Sequence, residues 1–118
     1  MAIVVMILLA VHALAGVFWV GSTLALTHSD LTLTRKLFRA QMSAAMLAVA
    51  AGLGLWGLLI RGAHGPMADT LGLGALCALI AAGVQGGMYR MHPTRGQRIA
   101  AVLLSVTVIC MVISPYVR

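Results

Sequence analysis

The sequence predicts an all-α protein: a transmembrane, antiparallel four-helix bundle forming a single domain. Three observations carry this. Hydrophobic residues make up 62% of the chain and charged residues only 8%, a balance that 118 residues cannot hide inside a water-soluble core. The apolar residues fall into four runs, each near the length one spanning helix requires. The charges fall almost wholly between those runs.

The first helix is expected over about 2–26, an apolar stretch long enough to cross a bilayer at about 1.5 Å rise per residue. Ala13-Leu14-Ala15 imitates a signal-peptide cleavage site. No lysine or arginine precedes it, however, and the apolar run continues to Leu26, so the segment reads as a retained helix. The other helices are expected over about 40–60, 71–89 and 99–117. Thr27-His28-Ser29-Asp30, Arg61-Gly62-Ala63-His64-Gly65-Pro66 and Met91-His92-Pro93-Thr94-Arg95-Gly96 punctuate the breaks with polar, Gly and Pro residues.

Loop charge sets the orientation. Arg35, Lys36, Arg39, Arg90, Arg95 and Arg98 belong to the first and third connections, and only Arg61 and Arg118 to the opposite side. The positive-inside rule then puts both termini outside, periplasmic if the membrane is a bacterial inner membrane. The net charge of +6 therefore speaks for topology and not for nucleic-acid binding. Asp30 and Asp69, the only acids, belong to loops, which excludes a carrier driven through a membrane-embedded carboxylate.

Lipid tails are as apolar as leucine, so spanning helices associate through close approach of small residues. Helices two and three are rich in them: Ala44-Ala45, Ala48, Ala51-Gly52, Gly54 and Gly57 in one, Gly74-Ala75, Ala78, Ala82-Gly83 and Gly86-Gly87 in the other. Pairs such as Gly83 with Gly87 predict that helices two and three are closely apposed, a seam that could continue into a homodimer or a larger membrane complex.

His12 is the most informative residue, an imidazole near the middle of an apolar run with no other ionisable group. At that depth it needs a partner, a cavity or a metal. Two readings stand: a functional site, or a neutral histidine hydrogen-bonded to a neighbouring helix. His12, Gly16, Trp19 and Thr23 recur at helical spacing, which places them on one face. Such a face should look into the bundle, with Gln85, Ser105 and Thr107 completing a polar interior.

Three chemistries follow from these residues. His12 with Cys77, Cys110, Met6 and Met111 is a soft ligand set suited to copper. Cys77 and Cys110 have no CxxC spacing, so dithiol redox chemistry is disfavoured, and both could equally be small buried hydrophobes. Met42, Met46, Met88 and Met91, bordered by His28 and His92, collect near the opposite face as a metal relay or as interfacial packing. A b-type heme is the third, with His12, Gly16 and Trp19 as cofactor-binding residues, needing one protein ligand or two His12 residues across a dimer. A redox enzyme would also need intramembrane proton donors, and only His12 is available, which leans away from an enzyme.

The string His12-Ala-Leu-Ala-Gly-Val-Phe-Trp19-Val-Gly21 resembles the H-x6-W-x-G signature that opens the CopD copper-resistance domain and the HemJ-type protoporphyrinogen oxidases, both small bacterial membrane families. Arg35-Lys36-Leu-Phe-Arg39 looks like the entry to their second span, and Tyr89-Arg90-Met91-His92-Pro93 is similar to the end of their third. The resemblance implies that His12 is the ligand or proton-handling residue, with Trp19 and Gly21 as its supporting face. HemJ-like enzymes carry a lysine or further polar residues in their membrane helices, whereas the one lysine here is Lys36, in a loop. Copper is the first expectation and heme the second. The alternative is a non-catalytic helical subunit of a larger membrane complex, docked through its small-residue faces.

Overall fold

The computed structural model describes residues 1–117 and is all-helical, with no strand among them. Helix α1 spans Ala2–Leu26. Helix α2 spans Leu31–Leu55 and runs on into a π-helical turn, Trp56–Ile60. Helix α3 spans Pro66–Gly87, and α4 spans Pro93–Ile113 before a 3₁₀ turn, Ser114–Tyr116. All four are long and apolar enough to cross a membrane.

Three helices start earlier than the apolar runs. The Asp30 carboxylate accepts the Leu33 N–H at 2.8 Å and caps α2, which lets the polar stretch from Thr32 to Arg39 join the helix. Pro66 and Pro93 occupy first-turn positions of α3 and α4, where a missing N–H costs nothing. Apolar runs locate the segment that fits hydrocarbon, whereas caps and prolines locate the helix. Gly62 (φ 81°) and Gly65 (φ 116°) turn the chain between α2 and α3 with backbone conformations closed to most L-residues.

The small-residue faces pair α1 with α2 and α3 with α4 rather than α2 with α3. Between α1 and α2, a Cβ at Gly54 would lie 3.3 Å from Leu8, and one at Gly52 would lie 2.9 Å from the His12 ring. Between α3 and α4, a Cβ at Gly74 would lie 3.0 Å from that of Cys110, and one at Gly96 would lie 3.1 Å from that of Met88. By contrast, Gly83 and Gly87 have nothing within 4 Å of a Cβ position, so the expected seam between α2 and α3 does not form there. Glycine in each pair removes the atoms that would hold the backbones apart.

The core is built mainly from alanine, with Ala15, Ala45, Ala48, Ala78, Ala81 and Ala100 around Trp19 and Leu104. Leu14, Val17, Leu53 and Val102 are exposed, while Gln41, Gln85, Gln97 and Thr23 are buried. That distribution inverts the arrangement of a water-soluble domain and suits an apolar surrounding.

The basic end gathers around an aromatic stack. Phe38 of α2 lies on Tyr89, just beyond α3, with ring centroids 3.8 Å apart, and the Arg35 guanidinium sits 5.7 Å from the Tyr89 centroid. Arg98 Nε donates to the Thr27 carbonyl at 3.2 Å, joining α4 to the end of α1. Arg118, expected on the opposite side, lies outside the described residues.

Candidate functional site: the His12 groove

His12 is half-buried on α1, with Nδ1 2.7 Å from the Ala48 carbonyl oxygen on α2. A carbonyl only accepts, so Nδ1 carries the hydrogen, and in the neutral form of the ring the lone pair is on Nε2. This is the orientation in which a ligating imidazole is held: one nitrogen donates to the protein and the other is left for the ligand. Gly52 makes it possible, since any Cβ there would strike His12 Cε1 at 2.9 Å.

The ring lies on a groove of about 690 Å³ bounded by all four helices. Leu9, Gly16 and Val20 line it from α1, Val49, Gly52 and Trp56 from α2, Ala75 and Leu79 from α3, and Leu104, Thr107 and Met111 from α4. Its volume falls in the range of sites for drug-sized ligands and cofactors. The surface is nearly all apolar, and its few polar groups are partly spoken for. Thr107 Oγ1 lies 3.0 Å from the carbonyls of both Gly74 and Leu103, and the Trp19 N–H is bonded below the groove. A Cβ at Gly16 would meet nothing within 4 Å, so this glycine widens the groove instead of seating a neighbour. Trp56 opens the π-helical turn and reaches toward Gly72 of α3, whose Cβ position lies 3.9 Å from Cη2.

Beneath the groove all four helices meet in a polar ring. The buried Trp19 donates Nε1–H to Gln85 Oε1 at 2.8 Å. Gln85 Nε2 donates to Thr23 Oγ1 at 2.9 Å and to Gln97 Oε1 at 3.2 Å. Gln41 Nε2 donates to the same two oxygens at 2.9 and 3.0 Å, and Gln97 Nε2 returns a bond to Gln41 Oε1 at 2.9 Å. Thr23 Oγ1 in turn donates to the Trp19 carbonyl at 2.7 Å. The indole can only donate, so Gln85 must present its oxygen there, and each amide orientation follows around the ring. Among the described residues, no buried side-chain nitrogen or oxygen lacks a partner. This uncharged ring ties all four helices together.

The expected site residues separate. His12, Gly16, Trp19 and Met111 line one groove. Cys110 is buried in the α3–α4 contact against Gly74, Cys77 is half-buried on α3, and Met6 is 67% exposed; none of the three lines the groove. The described residues hold no group of three or more His, Cys, Asp or Glu side chains arranged to bind a metal. Near the basic end, Met46 and Met91 are exposed, as are His28 and His92. Thr107 joins the interior as expected, whereas Ser105 is exposed and donates to its own helix at Ala101. Sequence reasoning missed Gln41 and Gln97. Their signal was available: with Gln85, they are amides at the margins of apolar runs.

Comparison with known protein families, with curated proteins and with solved structures finds no match to this chain.

Proposed function

We propose that the chain is a multi-pass membrane protein that binds a flat, apolar, redox-active cofactor in its groove, b-type heme foremost, with His12 Nε2 as the protein ligand. The observation that carries this reading is the His12 Nδ1 bond to the Ala48 carbonyl, which leaves Nε2 for a ligand beside an apolar groove of about 690 Å³. Gly16 and Gly52 leave room for a flat molecule against α1 and α2, and Trp19 and Trp56 contribute aromatic walls. Heme bound there would supply a one-electron centre. The residues themselves ligate, orient and exclude water. The CopD- and HemJ-like opening motif points to the same histidine.

The setting is four antiparallel spans of a bacterial inner membrane, with both termini periplasmic and the arginine-rich ends of α2, α3 and α4 cytoplasmic. A longest dimension of 42 Å is in keeping with a hydrocarbon core of about 30 Å plus its interfaces.

Copper held by His12 and Met111 is the second reading, because their imidazole and thioether share the groove. The larger copper set does not fit one centre, since Met6, Cys77 and Cys110 lie off the groove.

The deciding experiment titrates hemin into the detergent-purified protein and follows the Soret band. One equivalent should bind with a shifted band, and His12→Ala should weaken binding at least ~10-fold, the scale on which metal-site partners act. Hemin binding that ignores His12→Ala would overturn the assignment. Copper retained by wild type but lost from both His12→Ala and Met111→Leu, without a Soret change, would favour the second reading. Stoichiometric co-purifying chains with neither metal nor heme would favour a docked subunit.

A further inference from the structure

We propose that the basic end of the bundle carries a binding site for the phosphate of an anionic phospholipid, centred on Arg35 and completed by Arg39 and Arg90. This proposal is independent of what the groove binds. Arg35, Lys36 and Arg39 lie on the first turns of α2, Arg90 just beyond α3, and Arg95 and Arg98 on the first turns of α4. The one acid at that end, Asp30, accepts the Leu33 N–H as the cap of α2 and is committed there. Asp69 lies in the first turn of α3, at the other end of the molecule.

Charge alone would set orientation and nothing more. The local build adds to it. The Phe38–Tyr89 stack closes α2 against the end of α3, with rings 17° from parallel, and so fixes the platform on which Arg35 rests. Arg35 lies over the Tyr89 ring and is otherwise exposed, so its guanidinium is held in place while its N–H groups stay available. Arg39 follows one turn along α2 and Arg90 follows Tyr89 directly in sequence, and both are exposed, so two further cations are available beside the one held on the aromatic step. A guanidinium offers paired donors in the geometry of two phosphate oxygens, which an ammonium does not. These residues sit where long apolar helices give way to polar loops, which in a bilayer is headgroup depth.

The occupant is a lipid and not a soluble anion, because the same end of the bundle also exposes large apolar side chains. Leu31 and Leu33 are exposed on α2 and Met91 is 80% exposed beyond α3, so a ligand with acyl chains gains contacts that a free phosphate lacks.

The test titrates fluorescent phosphatidylglycerol into the detergent-purified protein and competes it with unlabelled phosphatidylglycerol, phosphatidylcholine or inorganic phosphate. Phosphatidylglycerol alone should compete efficiently. Arg35→Gln should weaken it about fivefold, the equivalent of one interfacial cation, and the triple change at Arg35, Arg39 and Arg90 about 100-fold. Arg35→Lys should recover only part of the loss, since an ammonium keeps the charge but not the fork. Arg61→Gln, at the other end, should leave binding unchanged. Competition by phosphatidylcholine as strong as by phosphatidylglycerol would overturn the proposal, as would equal competition by inorganic phosphate. Equal losses in Arg61→Gln and Arg35→Gln would do the same, showing bulk charge and no site. Circular-dichroism melting of each variant separates lost binding from lost fold.

Discussion

The two ends of the bundle interior treat the same problem in opposite ways. Toward the basic end, five residues from four helices partner one another through the ring of Trp19, Thr23, Gln41, Gln85 and Gln97, and no buried side-chain nitrogen or oxygen among the described residues is left without a bond. Toward the other end the four helices border an open groove beside His12, the one ionisable side chain in its lining, and only one of its ring nitrogens is bonded within the protein. A buried polar group must find a partner, and the ring finds its partners inside the protein. His12 finds one there for Nδ1, and Nε2 has no hydrogen-bond partner in the protein. The contrast is between polar groups that spend their bonds on one another and an imidazole that spends only one of its two nitrogens on the protein.

The largest expected effect breaks the saturated end. Gln97 takes part in three of the ring's bonds, so Gln97→Leu leaves Gln41 Oε1 without its donor and takes one acceptor each from Gln41 Nε2 and Gln85 Nε2. At about 0.6–1 kcal/mol per interhelical bond, it should destabilise the bundle by about 2–3 kcal/mol. Unfolding by denaturing detergent, followed by circular dichroism, measures it. The double change Gln41→Leu with Gln97→Leu should cost less than the two single changes added, because it removes both partners of the reciprocal pair. Additive losses would mean that the ring is not a unit.

Next in size is a change at the open end. A methyl at Gly52 would meet His12 Cε1 at 2.9 Å, so Gly52→Ala must push the imidazole off the Ala48 carbonyl. Overpacking and one lost hydrogen bond should cost about 1–2 kcal/mol, and hemin affinity should fall about tenfold as Nε2 swings away. Wild-type affinity in this variant would show that the ring's orientation is irrelevant to the groove.

A pair of glycines gives a smaller contrast of opposite sign. Gly74→Ala puts a methyl 3.0 Å from Cys110 Cβ and 3.4 Å from the Thr107 carbonyl, two atoms fixed in α4, and should destabilise by about 1 kcal/mol. Gly16→Ala meets open groove and should be neutral or stabilising by up to about 1 kcal/mol, the helix-propensity gain of alanine over glycine. Melting curves of the two variants side by side settle the signs.

Much of this contrast was legible in the sequence. The apolar runs located all four helices, and the His12, Gly16, Trp19, Thr23 spacing found the face of α1 that looks inward. Its partners were less legible, for two physical reasons. Small-residue patterns are blind to partner: Gly52 and Gly74 announce a close approach, but nothing in glycine says which helix approaches, and the pairing went to α1 and α4. Gln41 and Gln97 stand at or beyond the margins of apolar runs, where an amide is ordinary in a loop. Capped and proline-started helices reach past the apolar segment, and this carried both residues into the interior. The cysteines misled for the opposite reason. Their soft sulfur joined them to His12 as a ligand set, but residue type says nothing about which way a side chain faces, and Cys110 faces α3 while Cys77 lies off the groove.

Trp19 belongs to both ends, and its substitution is the smallest and sharpest test of whether they communicate. Its ring lines the groove, and its N–H supplies Gln85 Oε1. Trp19→Phe keeps most of the apolar wall and deletes the donor, so Gln85 loses one bond while its own N–H groups still reach Thr23 and Gln97. The cost should be about 0.6 kcal/mol, the scale of a single interhelical hydrogen bond in a bundle of this kind. If the ring only closes the floor, hemin affinity should stay within about twofold of wild type, since the groove loses a corner of one side chain and no ligand. If instead affinity falls with stability, and Gln85→Leu reproduces the fall without touching the groove lining, then the amide ring positions Trp19 against the ligand. A double-mutant cycle between Trp19 and Gln85, read once by melting and once by hemin titration, distinguishes the two: coupling in the first readout alone keeps the sealed end structural, and coupling in both makes it part of the site.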